Sequence, residues 1–196
     1  MPKTSVLTRR TEHAMRWPKM RLVLCAVLIG LCVALPVVAQ GPRLQQLTDR
    51  ELLRVWLLTN CGLGHVERIE GELLRRGIVL QPLLLEALRD GPDRELALQV
   101  ERAAGERFDG WPAFLESPAA RELDPGVLEE MRRVRRKAFV ADEVERFRDG
   151  YRSAAVAGLG LTGGADARPE LRRIAADRAS PLRTAAEQAL RQLDKR

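Results

Sequence analysis

The chain has 196 residues, and 33 basic against 27 acidic side chains give it a formal net charge of +6. Six of the basic residues and one acidic residue lie in residues 1–39, so residues 40–196 carry 27 basic and 26 acidic side chains and are almost neutral. Because the basic excess belongs mainly to the N-terminal segment, it does not indicate a nucleic-acid-binding surface.

Residues 1–39 have the pattern of an export signal. Basic residues precede the apolar run Leu22–Ala39, and Val37–Ala39 offers small residues for cleavage before Gln40. The 18-residue run is also long enough for a marginal membrane span. Pro36 would end a helix early and therefore favours a cleaved signal peptide, which predicts a periplasmic or extracellular protein. An uncleaved inner-membrane anchor at residues 22–39 remains the alternative.

The remainder of the chain has the composition of an all-α protein. Leucine and alanine dominate it, whereas aromatic and β-branched residues are sparse. We predict a disordered lead-in at residues 40–47 and one helical domain at residues 48–196. Cys61 is the one cysteine after residue 39, so a cleaved chain has no intrachain disulfide, and we expect this thiol to be buried.

The first predicted helices have clear start and stop signals. Thr48 and Glu51 form a capping box before a helix that contains Trp56 and ends near residue 60. Gly62 and Gly64 indicate a turn, and the following helix runs to Gly77.

Two later units share their spacing. Pro82 begins a helix that reaches Asp90, and Pro169 begins one that reaches Asp177; both intervals are eight residues. Three residues further on, a polar side chain is predicted to cap a second helix. The two capping residues are Asp93 and Ser180.

The pattern between these units is less regular. Trp111-Pro112 predicts a short helix that ends by Pro118. Asp124-Pro125 opens a longer segment with a continuous apolar stripe, which predicts one long helix, or two if Asp142 caps the second. The stripe consists of Val127, Met131, Val134, Ala138, Ala141, Val144, Phe147 and Tyr151.

A short sequence pattern at the end of this segment occurs again in the last unit. The sequence Tyr151-Arg-Ser-Ala-Ala, with Leu159 four residues on, returns 31 residues later as Leu182-Arg-Thr-Ala-Ala with Leu190. A period of this length is typical of stacked helical repeats. Residues 151–193 resemble HEAT-like repeats of the short bacterial type that is also found in phycobilin lyases. The resemblance implies a short α-solenoid of stacked helical hairpins, in which Asp177 and Arg183 bond along an inner turn.

Two groups of residues are candidate binding sites. Cys61 and His65 are soft ligands close together, but two glycines between them are typical of a helix–helix turn, which we favour over a metal site. A basic run can contact an acidic partner or lipid head groups, or it can be a solvated helix face balanced by nearby carboxylates. The run consists of Arg132, Arg133, Arg135, Arg136 and Lys137. Trp56 and Trp111 are predicted to be core residues rather than interface anchors.

The sequence contains no nucleophile motif and predicts no catalytic residue, metal or cofactor. We therefore expect a non-enzymatic envelope adaptor that binds another protein. The predicted contact residues are Arg132, Arg133, Arg135, Arg136, Arg152 and Arg183. Two alternatives are a membrane-tethered structural subunit whose basic run lies on lipid, and a metal- or small-ligand-dependent enzyme at Cys61 and His65.

Overall fold

The computed structural model describes residues 44–59, 66–164 and 166–195, and this part of the chain is helical without a β-strand, as predicted. The helices are α1 (Asp49–Thr59), α2 (Val66–Arg76), α3 (Gln81–Asp90), α4 (Arg94–Asp109), α5 (Trp111–Glu116), α6 (Pro118–Arg121), α7 (Pro125–Arg133), α8 (Arg136–Thr162), α9 (Ala167–Ala176) and α10 (Arg183–Asp194). Two 3-10 turns cover Leu44–Gln46 and Gly77–Leu80. Within these residues no helix is long and apolar enough to cross a bilayer. The predicted export segment lies outside them.

The 27-residue helix α8 is the centre of the fold. Helices α3, α4 and α10 make most of their contacts with it, and α1 and α2 also pack against it. Its C-terminal half contains most of its buried residues, because several helices cover it at once. The buried residues of this half are Ala154, Ala155, Val156, Gly158, Leu159, Gly160 and Thr162.

Small residues let the neighbouring helices approach the C-terminal half of α8 closely. Trp56 of α1 is only 2% exposed, and its indole N–H donates a hydrogen bond of 2.9 Å to the carbonyl oxygen of Ala154. A Cβ atom added at Gly158 would lie 2.6 Å from Leu84 of α3. One added at Gly160 would lie 2.8 Å from the Cα atom of Ala189 in α10. The main hydrophobic core is therefore built around this half of α8.

Helix α4 runs antiparallel to α8 along its N-terminal half. Near the start of α4, the guanidinium of Arg152 lies about 3.5 Å from the position of a Cβ atom at Gly91. Further along α4, Arg107 pairs with the buried carboxylate of Glu143 at 2.5 Å. At the end of α4, the Asp109 carboxylate accepts two hydrogen bonds from Arg136, at 2.9 and 3.2 Å. A separate aromatic cluster lies at this end of α4. Phe108 stacks on Trp111, and Phe139 contacts both rings in tilted and edge-to-face arrangements.

Side-chain hydrogen bonds confirm three of the predicted helix starts. In the predicted capping box, the backbone N–H of Thr48 donates to the Glu51 carboxylate at 2.8 Å, and the N–H of Glu51 donates back to the threonine hydroxyl at 3.3 Å. Asp93 accepts from the N–H of Leu96 at 2.7 Å and caps α4 as predicted. Asp124 accepts from the N–H of Gly126 at 2.8 Å and caps α7.

The structure corrects the prediction for the long amphipathic segment. The chain leaves helical geometry at Val134 and Arg135, which have ψ angles of 128° and 142°, so α7 and α8 are separate helices. The predicted alternative break at Asp142 is wrong, because this residue lies inside α8 and its carbonyl accepts from Arg146. The bidentate bond of Arg136 to α4 instead fixes the first turn of α8.

The last unit also differs from its prediction in two details. Ser180 does not cap the final helix; its hydroxyl accepts from the N–H of Leu182 at 3.2 Å, and α10 begins only at Arg183. Asp177 and Arg183 do not form the expected pair. The Asp177 carboxylate accepts from the N–H of Ala179, while Arg183 donates to Glu187 one turn further along α10.

The two units with matching spacing pack differently. Helices α9 and α10 contact each other extensively, and α10 also packs on α8. Helices α3 and α4 instead make their main contacts with α8, because the long helix lies beside both of them. Equal spacing in sequence therefore corresponds to two different local arrangements.

The side chain of Arg76, at the end of α2, binds the first residues that the structure describes. Its guanidinium donates to the carbonyl oxygens of Leu44 and Leu47, at 3.1 and 2.7 Å. It also bonds to Asp49 at 2.7 Å and Glu72 at 2.8 Å. Residues 44–47, the described part of the predicted lead-in, are thus joined to the end of α2 through their backbone carbonyls.

This arrangement predicts a specific acid dependence of stability. Hydrogen bonds from Arg75 and Arg76 lower the pKa of Glu72 from 4.5 to about 2. A lowered pKa means that the carboxylate stabilises the folded state above pH 4.5 and loses this contribution as the pH falls towards 2. We expect Glu72→Gln to be less stable than the parent at neutral pH, with a difference that shrinks on acidification. Urea unfolding between about pH 6 and about pH 2 measures this difference, and parallel stability curves would contradict the expectation.

Candidate functional site

A groove with a volume of about 1090 Å³ runs between α4 and the middle of α8. Its lining residues are Leu98, Glu101, Arg102, Arg136, Lys137, Val140, Ala141, Val144, Glu145, Arg148, Asp149 and Arg152. We call it the α4–α8 groove.

Helical periodicity brings these side chains together. On α4, Leu98, Glu101 and Arg102 lie at positions i, i+3 and i+4 and share one face. On α8, the lining residues recur every three or four positions from residue 136 to residue 152. Because α4 and α8 are antiparallel, the two faces form the opposite walls of one elongated groove.

The groove has apolar patches between charged side chains. Leu98 is 52% exposed, and it belongs to the few large apolar side chains that the described residues leave open to solvent. Val140 and Val144 are partly exposed, and Ala141 is exposed. Charged residues from both helices border this apolar surface.

Basic side chains outnumber acidic ones in the groove by five to three. Arg136 is neutralised by Asp109, and the hydrogen bonds between them hold the pKa of Asp109 below its usual value. Among the described residues, no carboxylate lies within 4.0 Å of the cationic groups of Arg102, Lys137 or Arg148. As far as the described part of the chain shows, these three cations have no carboxylate partner and can pair with a bound molecule.

Arg152 lies in the groove close to the start of α4. One of its terminal nitrogens donates a weak hydrogen bond of 3.5 Å to the carbonyl oxygen of Arg89. Its Nε atom is buried and has no hydrogen-bond partner among the residues that the structure describes. The guanidinium therefore has donor capacity that the described fold does not use.

The six arginines that the sequence predicts as protein contacts do not lie on one surface of the structure. Arg136 and Arg152 line the α4–α8 groove. Arg132 and Arg133 lie at the end of α7, where Glu129 is 4.0 and 3.0 Å away, and Arg135 precedes the first turn of α8. Arg183 is on α10 and pairs with Glu187.

The two tryptophans have different environments. Trp56 is a core residue, as predicted. Trp111 is only partly buried and belongs to the aromatic cluster with Phe108 and Phe139, and its indole N–H has no hydrogen-bond partner within the described residues.

The candidate ligands Cys61 and His65 lie outside the described residues. In the described ranges, no group of three or more histidine, cysteine, aspartate or glutamate side chains is arranged to hold a metal ion.

The sequence alone did not single out several residues of the groove, among them Leu98, Arg102 and Arg148. A signal for the first two was present in the sequence, since Leu98 lies outside the apolar face of its predicted helix and one turn before Arg102. Their proximity to Arg148 depends on how α4 packs against α8, which spacing along the chain does not reveal.

Comparisons with known proteins leave the function to be argued from this geometry. No protein-family model matches the chain, and neither the curated proteins nor the solved structures contain a significant match.

Proposed function

We propose that this protein is a non-enzymatic adaptor of the cell envelope that binds another protein in the α4–α8 groove. The observation that carries the proposal is the groove itself, in which exposed apolar residues lie between three basic side chains that lack an acidic partner among the described residues. The export pattern of residues 1–39 supports a periplasmic or extracellular location.

The shape of the groove favours a helical segment as the bound element. Two antiparallel helices form a channel that can accept the apolar face of an amphipathic helix. The apolar contacts would come from Leu98 and from Val140 and Val144 on the opposite wall. Such a contact uses surface that is otherwise exposed to water, so its burial would favour binding.

The charge of the groove favours an acidic partner. Arg102, Lys137 and Arg148 can each pair with a carboxylate that flanks the apolar face of the bound helix. Arg152 also lines the groove and adds a further positive charge to its surface. The expected ligand is therefore an amphipathic helix with acidic residues on both sides of an apolar stripe.

We further propose that the C-terminal part of α8 together with α9 and α10 forms a HEAT-like unit, and that the domain is a short α-solenoid. The recurrence of residues 151–159 at residues 182–190 supports this assignment. The extensive contact between α9 and α10 supports a helical hairpin in this unit. Proteins of this architecture commonly act as binding surfaces.

The proposal is tested by site-specific cross-linking. A photoreactive amino acid at position 98 of the full protein is activated in an envelope extract, the captured protein is identified, and its binding to the purified chain is then titrated. We expect saturable binding that weakens about tenfold or more in the double variant Lys137→Glu and Arg148→Glu, because two attractive charges become repulsive.

A matched control distinguishes the groove from general surface charge. Arg172 and Arg178 are exposed arginines outside the groove, so Arg172→Glu with Arg178→Glu changes the net charge equally. This control should bind like the parent. Equal weakening in both variants, or undiminished binding in the groove variant, would contradict the proposed site.

A further inference from the structure

The junction between α7 and α8 is a two-residue hinge whose sequence suits a continuous helix. Val134 and Arg135 leave helical geometry, with ψ angles of 128° and 142°, although neither of them is a glycine or a proline. No glycine or proline occurs anywhere between residues 127 and 140, so every position there is acceptable inside a helix. The apolar stripe also crosses the hinge without interruption, as it would on one straight helix.

The bent hinge leaves the start of α8 poorly stabilised. No described side chain caps this helix, and its first turn has no acidic residue. Arg136 and Lys137 instead place positive charge at the positive end of the helix dipole. The first hydrogen bond of α8 runs from the N–H of Phe139 to the carbonyl oxygen of Arg135, at 3.0 Å. In a continuous helix, the N–H groups of residues 136–138 would also bond to carbonyl oxygens four positions earlier.

The hinge divides the chain into two parts that pack on each other. Helices α1 to α7 precede it, and α8 to α10 follow it. Contacts across this division hold the fold together: Trp56 bonds to Ala154, Arg107 pairs with Glu143, and α3 and α4 make their main contacts with α8. The same contacts can form between the first part of one chain and the second part of another.

We propose that the protein forms a domain-swapped dimer by straightening this hinge. In each chain, α7 and α8 join in one helix, and the helices before the hinge pack on α8 of the second copy. Each α4–α8 groove is then built from two chains, with Leu98 from one copy and Val144 from the other. The exchange requires no new interface, because the swapped contacts are those of the single chain. This inference does not depend on the function proposed for the groove.

The basic run determines the conditions that favour the dimer. It surrounds the hinge, so the exchange brings the basic runs of two chains near each other. Glu129 offsets part of this charge by pairing with Arg132 and Arg133, and salt screens the remainder. The dimer fraction should therefore rise with ionic strength as well as with protein concentration.

The first test compares proline and alanine at position 135 of the full chain. Proline suits the bent hinge, because Arg135 has a φ angle of −93° and Val134 has the extended backbone that a residue before proline prefers. Proline also excludes the continuous helix, since it removes an N–H donor and its ring obstructs the preceding turn. Alanine removes the same charge and permits the continuous helix.

Each protein is refolded from urea at high protein concentration and high ionic strength, and size-exclusion chromatography with light scattering measures the dimer fraction. We expect a dimer in the parent, at least as much dimer in Arg135→Ala, and about tenfold less or lower in Arg135→Pro. A parent without a dimer, or equal dimer fractions in the two variants, would overturn the proposal.

A second experiment distinguishes a swapped dimer from two intact monomers that touch. Arg107→Glu and Glu143→Arg each place like charges opposite one another within a single chain. In a swapped heterodimer of these two variants, position 107 of each copy faces position 143 of the other, so both pairs have opposite charges again. We expect several-fold more dimer when the variants are refolded together than when either is refolded alone. An unchanged dimer fraction on mixing would exclude the exchange.

Discussion

Replacing Trp56 with alanine is expected to lower the free energy of unfolding by about 3–5 kcal/mol. The indole ring is 2% exposed and fills the space between α1 and the C-terminal half of α8. The substitution removes this apolar volume and leaves a cavity, and it also removes the hydrogen bond of 2.9 Å to the Ala154 carbonyl. Urea unfolding followed by circular dichroism measures the loss.

Trp56→Phe separates the two contributions. Phenylalanine retains much of the ring but cannot donate a hydrogen bond, so we expect a smaller loss of about 1–3 kcal/mol. A Trp56→Ala variant within about 1 kcal/mol of the parent would show that α1 does not pack on α8 as described.

The second large effect is expected from Gly160→Ala. Alanine has the better intrinsic helix propensity by about 1 kcal/mol, which alone would stabilise α8. The added Cβ atom, however, would lie 2.8 Å from the Cα atom and 2.9 Å from the Cβ atom of Ala189. Because the obstructing atoms belong to a helix backbone and its first side-chain atom, α10 must move away. We expect a net destabilisation of about 1–3 kcal/mol.

Gly71→Ala provides the control for helix propensity. Gly71 lies inside α2, and a Cβ atom there would meet no atom within 4 Å. This variant should be more stable than the parent by about 0.5–1 kcal/mol. Thermal unfolding of both variants is the comparison, and a stabilised Gly160→Ala protein would refute the close contact between α8 and α10.

Local signals in the sequence predicted many helix starts correctly because their chemistry is local. The capping box at Thr48 and the caps Asp93 and Asp124 act within three residues of each helix start. Ser180 shows the limit of this reasoning. Its hydroxyl bonds to an N–H only two residues away, and this local alternative delays the start of α10.

Long-range packing explains what the sequence did not reveal. The apolar stripe continues across Val134 without interruption, so periodicity gave no sign that α7 ends there. The α4–α8 groove likewise depends on the antiparallel packing of two helices whose facing residues, such as Arg107 and Glu143, are 36 positions apart. The charged residues were visible in the sequence, but their division between a groove and a separate helix end was not.

The central position of α8 also determines when the domain can fold during synthesis. Trp56 cannot form its hydrogen bond to Ala154 until that residue, 98 positions later, has been synthesised. The apolar faces of α1 and α3 therefore lack their main partner, α8, until most of the chain has left the ribosome. In the export pathway that we propose, this delay would keep the N-terminal helices unpacked while translocation begins. Helix α8 therefore holds the folded domain together and, because it is synthesised late, also delays folding.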